Sequence, residues 1–440
     1  MNPLFATLFI ILAALLGARL SFSTERIPAG PRLLFRTGTH FLVIGFLLGP
    51  AALGLLTGEA TTQLMPFVAL GLGWVGFQFG LQLEWESLRR FPFRYYLVAG
   101  GQAALAFLVF YGMGRLGLAW AGLDGKVPRL LLLGAAATAS VTTPAGIAMV
   151  SSNFLVRGKV RDLLFLTGSL DAAIGIIALQ AVYAVHRPPA SVPTLGQAPG
   201  IALVGLALGL GAVCGILFMW LTRPRPESDE LVLFLLGISA FSAGAALQLG
   251  LSPLFVSVTM GAVVANVGTG RERMRRVLTR WEKPVYVAFL LMAGAILRFP
   301  TPWVIVLAVA YALLRAVAKS AGAAVLVTAV PLGFAVPRRF GLGLIPQGGI
   351  SLAMAVSGVL TYPHLPLGGR DGAEILFATI VLGVVLAELM GPFFTVRVLR
   401  RAGEISPRVE AALVEGDERR AEKEALQHAP PTRGRGGAEP

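Results

Sequence analysis

Apolar positions along this chain are gathered into blocks, most of them about 20 residues long, separated by short stretches of Gly, Pro or charge. A helix of about 20 apolar residues spans the roughly 30 Å hydrocarbon layer of a bilayer. Thirteen such blocks are predicted as helical spans: 3–21, 31–56, 63–83, 94–122, 127–152, 160–185, 200–222, 229–250, 252–268, 285–300, 302–330, 340–360 and 374–400. The tenth is short and reads as tilted or partly interfacial. The pattern predicts an all-α polytopic membrane protein.

Composition agrees with the pattern. The 440 residues are 55% hydrophobic and 14% charged, with a mean hydropathy of +0.75. A soluble domain is about 25% charged. One cysteine, Cys214, lies in an apolar run, so no intramolecular disulfide forms. His40, His186, His364 and His428 are scattered without ligand spacing, and no cofactor is expected. The first apolar block lacks a basic n-region and reads as a membrane helix, not a cleaved signal.

Charge then decides orientation. Loops after odd-numbered spans hold nineteen Lys and Arg: Arg26, Arg32, Arg36, Arg89, Arg90, Arg94, Arg157, Lys159, Arg161, Arg223, Arg225, Arg271, Arg273, Arg275, Arg276, Arg280, Lys283, Arg338 and Arg339. Loops after even-numbered spans hold five: Lys126, Arg129, Arg187, Arg298 and Arg370. Basic loops stay in the cytoplasm, so the N-terminus is expected outside, the C-terminus inside, and the protein in the plasma (inner) membrane. The net charge of +14 is thereby assigned to cytoplasmic loops facing the bilayer, not to nucleic-acid binding. Residues 1–402 are read as one transmembrane domain. Residues 403–440 are charged, contain Pro and Gly, and are expected to be a disordered cytoplasmic tail.

The polar exceptions carry the chemistry. FLTGSLDAAIGIIAL (Phe165–Leu179) holds Asp171 near the middle of the sixth span. An Asp at a helix centre costs about 2.5–3.5 kcal/mol on insertion, so an intramembrane carboxylate is a functional candidate by default. Glu388, in the last span, reads as a partly solvated carboxylate near the cytoplasmic interface. Arg315 and Lys319 share one face of the eleventh span at i and i+4. At least one of them, by preference Lys319, is expected to face an interior carboxylate or ion site; snorkelling to an interface is the other reading.

Two spans look broken. The fifth gathers Thr138, Ser140, Thr142 and Thr143 before Pro144, and the twelfth holds Pro346, Gln347, Gly348 and Gly349. Proline removes a helix donor, and the freed backbone groups must face inward because lipid cannot satisfy them. The breaks lie seven spans apart, an odd number. That spacing predicts inverted repeats, spans 2–6 (31–185) against 9–13 (252–400), with the interrupted helices crossing near the midplane.

With these features in place, the chain resembles the monovalent cation:proton antiporter superfamily of sodium/hydrogen exchangers and potassium-efflux antiporters. GFLLGPAALGLL (Gly45–Leu56) is similar to the family's second-helix signature, and ALGLGWVGFQFGLQLEWESLRR (Ala69–Arg90) to its third. LGLSPLFVSVTMGAVVAN resembles the ninth helix, and LLRAVAKSAG the lysine-bearing one. The resemblance implies a dimerisation scaffold, hence a homodimer, and a mobile core with a cation site at the crossing. It also implies an aspartate on the following helix and a basic partner, which Lys319 matches with Arg315 as runner-up. The family usually carries Asp-Asp or Asn-Asp where this chain has Leu170-Asp171-Ala172, and Asp171 can align with either member. Gln82 stands where the third-helix motif often has Glu.

The expected function is exchange of Na⁺ or K⁺ for H⁺ by alternating access, cation and proton competing for Asp171. Oxygens between Thr138 and Thr143 supply the hard ligands such ions prefer. One carboxylate that takes up either one proton or one monovalent ion predicts electroneutral exchange. Two rival readings remain at this level: a Na⁺-coupled solute symporter and a degenerate, non-transporting regulator. A membrane enzyme is disfavoured, because there is no His pair, no Gly-x-Ser-x-Gly and no mid-depth carboxylate pair.

Overall fold

The structure is a computed structural model that describes residues 38–186, 198–223, 228–268, 271–362 and 365–409. The first predicted span, with Arg26, Arg32 and Arg36, and the tail from residue 410 lie outside them. Helices account for nearly all the described chain: α1 (Thr39–Leu48), α2 (Gly58–Gln63), α3 (Met65–Gln82), α4 (Trp85–Leu88), α5 (Phe93–Trp120), α6 (Arg129–Ala139), α7 (Pro144–Asn153) and α8 (Lys159–His186). Next come α9 (Gly200–Leu221), α10 (Ser228–Gln248), α11 (Pro253–Val267), α12 (Arg271–Ala295), α13 (Trp303–Ala329), a 3₁₀ turn (Phe340–Leu344), α14 (Gly348–Thr361) and α15 (Gly372–Arg401). A small antiparallel hairpin, β1 (Pro366–Leu367) and β2 (Arg370–Asp371), joins α14 to α15.

Every predicted span after the first carries a helix. Among the described residues, seven stretches are long and apolar enough to cross a membrane, including Arg129–Asn153, which contains the fifth-span break. Three places differ from expectation. The second span is helical only over Thr39–Leu48, because Gly49 is extended (ψ 168°) and Pro50 follows it. A residue ahead of proline is pushed out of the α region, and the helix stops. The tenth begins at Arg271, well before its apolar run, and carries Pro284 inside it. Arg271–Lys283, read as a loop, is therefore helical: Arg, Glu and Met are good helix formers, and hydropathy is blind to that. Finally, the stretch 403–409, assigned to the tail, is docked. Glu404 accepts hydrogen bonds from Val160 N (2.7 Å) and Arg161 N (2.9 Å) at the start of α8. Ile405 is buried in the same apolar cluster as Val160 and Leu164.

The helices sort into two packed groups. α5, α6, α7, α8, α13, α14 and α15 pack mainly on one another around the two breaks. α1, α3, α9, α10, α11 and α12 form the second group, in which α3 against α11 and α9 against α11 are the most extensive pairs. Glycines let backbones meet there: Gly80 lies against the α11 backbone at Val258 and Gly261. Small residues replace the hydrophobic effect as the means of joining helices in lipid.

Candidate functional site

Both breaks form where proline and glycine predict them, and they touch. α6 ends at Ala139 and α7 starts at Pro144; the 3₁₀ turn ends at Leu344 and α14 starts at Gly348. Thr143 N donates to Pro346 O (3.0 Å), and the Thr142 hydroxyl donates to Leu344 O (2.9 Å). Gly146 admits this approach, since a Cβ there would lie 2.7 Å from the Pro346 ring. Gly348 takes a left-handed φ of 63° with Thr143 packed against its Cα. That conformation suits glycine.

Each interruption leaves helix-end carbonyls in the protein interior, and α13 supplies donors to them. The buried Arg315 guanidinium donates to Val141 O (2.6 Å) from one break and to Ile345 O (2.6 Å) and Leu344 O (3.2 Å) from the other. A planar fork can hold both strands at once, which an ammonium cannot. One turn further on, Lys319 donates to Ser140 O and forms an ion pair with Asp171 Oδ2. Both side chains of that pair are 0% exposed.

Asp171 reaches the crossing because α8 packs on it through glycine. Gly168 lies against Pro144, and a Cβ on Gly175 would meet Val141, Ala137 O and Ser140 Oγ. Among the described residues, Asp171 Oδ1 has no hydrogen-bond partner. Thr167 Oγ1, one turn earlier on the same helix face and also buried, has none either, nor has Gln347 Oε1. A buried acceptor left unpaired costs roughly 1–3 kcal/mol. These three oxygens are hard donors of the sort alkali cations take.

Of the remaining sequence candidates, Thr138 is buried and its hydroxyl turns back to Ala135 O (2.9 Å). Its carbonyl accepts from Gln347 Nε2 (2.9 Å), which also contacts Tyr311 Oη at 2.6 Å. The Ser140 hydroxyl donates to Ala137 O (2.8 Å). Pro144, Pro346, Gln347, Gly348 and Gly349 all lie at the crossing, and Gly349 packs against the Tyr286 ring and hydroxyl. Thus Thr138, Ser140, Thr142, Thr143, Asp171, Arg315 and Lys319 converge from α6 and the break after it, α8 and α13 on one buried centre.

Sequence reasoning missed two members and misread a third. Thr167 drew no notice, although its i−4 spacing from Asp171 was a signal. Tyr311, four residues before Arg315, was another i, i+4 neighbour overlooked. Glu388 is not partly solvated: it is 5% exposed and accepts from Gln347 N (3.1 Å) and Gly348 N (2.8 Å). Position along a long helix does not report burial here, because the break just before α14, in the same repeat, packs against α15 from Glu388 to Gly391.

Comparison with known proteins accords with this geometry. No curated protein matches the chain. Two solved structures of the sodium proton antiporter MjNhaP1 from Methanocaldococcus jannaschii, one of them at pH 8, share the fold, with TM-scores of 0.66 and 0.60. Each match is 15% identical and covers 92% of this chain and 100% of the other. The sequence model of the sodium/hydrogen exchanger transmembrane family matches residues 10–401. Interrupted helices that cross at a buried Asp–Lys pair, on a matching chain length, lead to one assignment: the chain belongs to the sodium/hydrogen exchanger family.

Proposed function

We propose that the protein exchanges Na⁺ or K⁺ for H⁺ by alternating access, with cation and proton competing for Asp171. The observation that carries this reading is the wholly buried Asp171–Lys319 pair at the crossing, with Oδ1 of Asp171 and Oγ1 of Thr167 unpartnered beside it. A cation taken up by these oxygens loosens the hold of the Lys319 ammonium. A proton taken up by Asp171 does the same. Both neutralise the carboxylate, and the core crosses only when it is neutralised. Thr138, Ser140, Thr142 and Thr143 hold the walls of the site through their hydrogen bonds across and within the breaks.

Charge arithmetic sets the stoichiometry. Asp171 protonated beside charged Lys319 carries one net positive charge, as does ionised Asp171 with Lys319 and one bound cation. One proton for one cation is therefore electroneutral. Current flows only if Asp171 and Lys319 both change protonation in a cycle.

The test is a pH-dye assay in everted vesicles given Na⁺, K⁺ or Li⁺. Dequenching is expected for at least one ion with the native chain and is expected to be lost in Asp171→Asn. Equal dequenching in both proteins removes Asp171 from the site. Substrate uptake with Na⁺ and no pH coupling would favour a symporter instead.

A further inference from the structure

The competition at Asp171 does not itself call on Glu388, yet among the described residues it is a second carboxylate buried at the crossing. It stands on α15, and its Oε1 accepts the Gln347 and Gly348 backbone N–H groups that open α14. The N-terminus of a helix carries about half a positive charge, so a carboxylate there is held by dipole and hydrogen bonds together. Arg315 on α13 and Tyr286 on α12 are the charged and titratable side chains that act on it. The parts of α6, α7 and α14 facing it at the crossing contribute none. The buried charges of the centre then balance: Asp171 and Glu388 against Arg315 and Lys319.

We propose that Glu388 is a positioning residue of the exchange site that also sets its electrostatic zero, so that its negative charge fixes cation and proton affinity at Asp171 together. The inference rests on Asp171 being the exchange carboxylate. A Na⁺ ion and a proton each bring one positive charge to the same oxygens. A surplus positive charge nearby must weaken both by the same factor, whereas a merely structural fault has no reason to couple them.

The experiment is exchange in proteoliposomes by purified native protein, Glu388→Gln, Glu388→Asp and Asp171→Asn, each checked for a monodisperse, folded state. Rates are taken across Na⁺ concentration at alkaline pH and across pH at fixed Na⁺, with K⁺ substituted if K⁺ is the ion moved. Glu388→Gln keeps an acceptor for the two N–H groups but loses the charge. Its KM is expected to rise on the order of tenfold and the acid limb of its profile to move about one pH unit toward acid. Glu388→Asp keeps the charge and is expected to retain the native profile at whatever rate remains. A Gln variant that loses only maximal rate, with KM and acid limb unmoved, overturns the inference. So does failure of both variants to fold, which would make the residue structural. Unaltered exchange by Asp171→Asn overturns the reading of the site itself, and is recognised by that variant alone.

Discussion

Arg315 shows how far one side chain can be committed. Its guanidinium bridges carbonyls of both interrupted segments, so neither break is left with an unpaired end on that side. Arg315→Lys keeps the charge and loses the fork. It is expected to leave at least one buried carbonyl unpaired, at about 1–3 kcal/mol, with a lower Tm in detergent and little exchange. The Asp171–Lys319 pair makes a second prediction. Removing one partner of a buried ion pair costs roughly 3–5 kcal/mol because the other charge is stranded, whereas removing both costs less. Lys319→Gln alone is therefore expected to destabilise the protein more than Lys319→Gln with Asp171→Asn. Thermal unfolding of the four-member cycle measures this, and additive losses would mean that the two groups do not interact.

Among elements, the crossing depends on close backbone approach. Gly146→Ala sets a methyl group 2.7 Å from Pro346 and is expected to disrupt exchange, while Gly205→Ala, with open space around it, is the silent control. A second element-level device joins the end of α15 to the start of α8. Glu404 seats on the first N–H groups of the helix that carries Asp171, and burial, outweighing those two bonds, pushes its carboxyl above the ordinary carboxylate range. A group whose folded value is raised stabilises the folded state below its unfolded value and loses that contribution as pH rises through the folded one. The stability advantage of native protein over Glu404→Gln is therefore expected to shrink from acid toward neutral pH. Unfolding curves over a pH series would show it, and a difference that grows with pH would reverse the assignment.

For the molecule as a whole, the expected orientation places Lys126 outside and Arg338 in the cytoplasm. Cys214 is buried, so introduced cysteines report against a quiet background. A membrane-impermeant maleimide is expected to label Lys126→Cys in intact cells and Arg338→Cys only after permeabilisation. Electrical behaviour belongs here as well. Liposomes given a cation jump should carry no current, and a current would mean that Asp171 and Lys319 titrate together. Two helix groups packed mainly within themselves are the arrangement that movement of one against the other requires.

Local composition was enough to make the spans legible from their apolar runs, and the breaks from Pro144 and from Pro346 with its glycines. Asp171, Arg315 and Lys319 stood out in the sequence because a charge in lipid must have a reason. Those inferences need the chain and the solvent around it, and nothing more. Which groups meet was not legible. Packing of the helices put Lys319 on Asp171, gave Arg315 the carbonyls of both breaks, and buried Glu388, read as partly solvated, at the head of α14. It also turned Glu404 back onto α8. The physical reason is that burial and pairing arise between residues on different segments of the chain, 41 positions apart for Gln347 and Glu388 and 148 for Asp171 and Lys319. Hydropathy read along one helix holds no record of what the next helix brings to it.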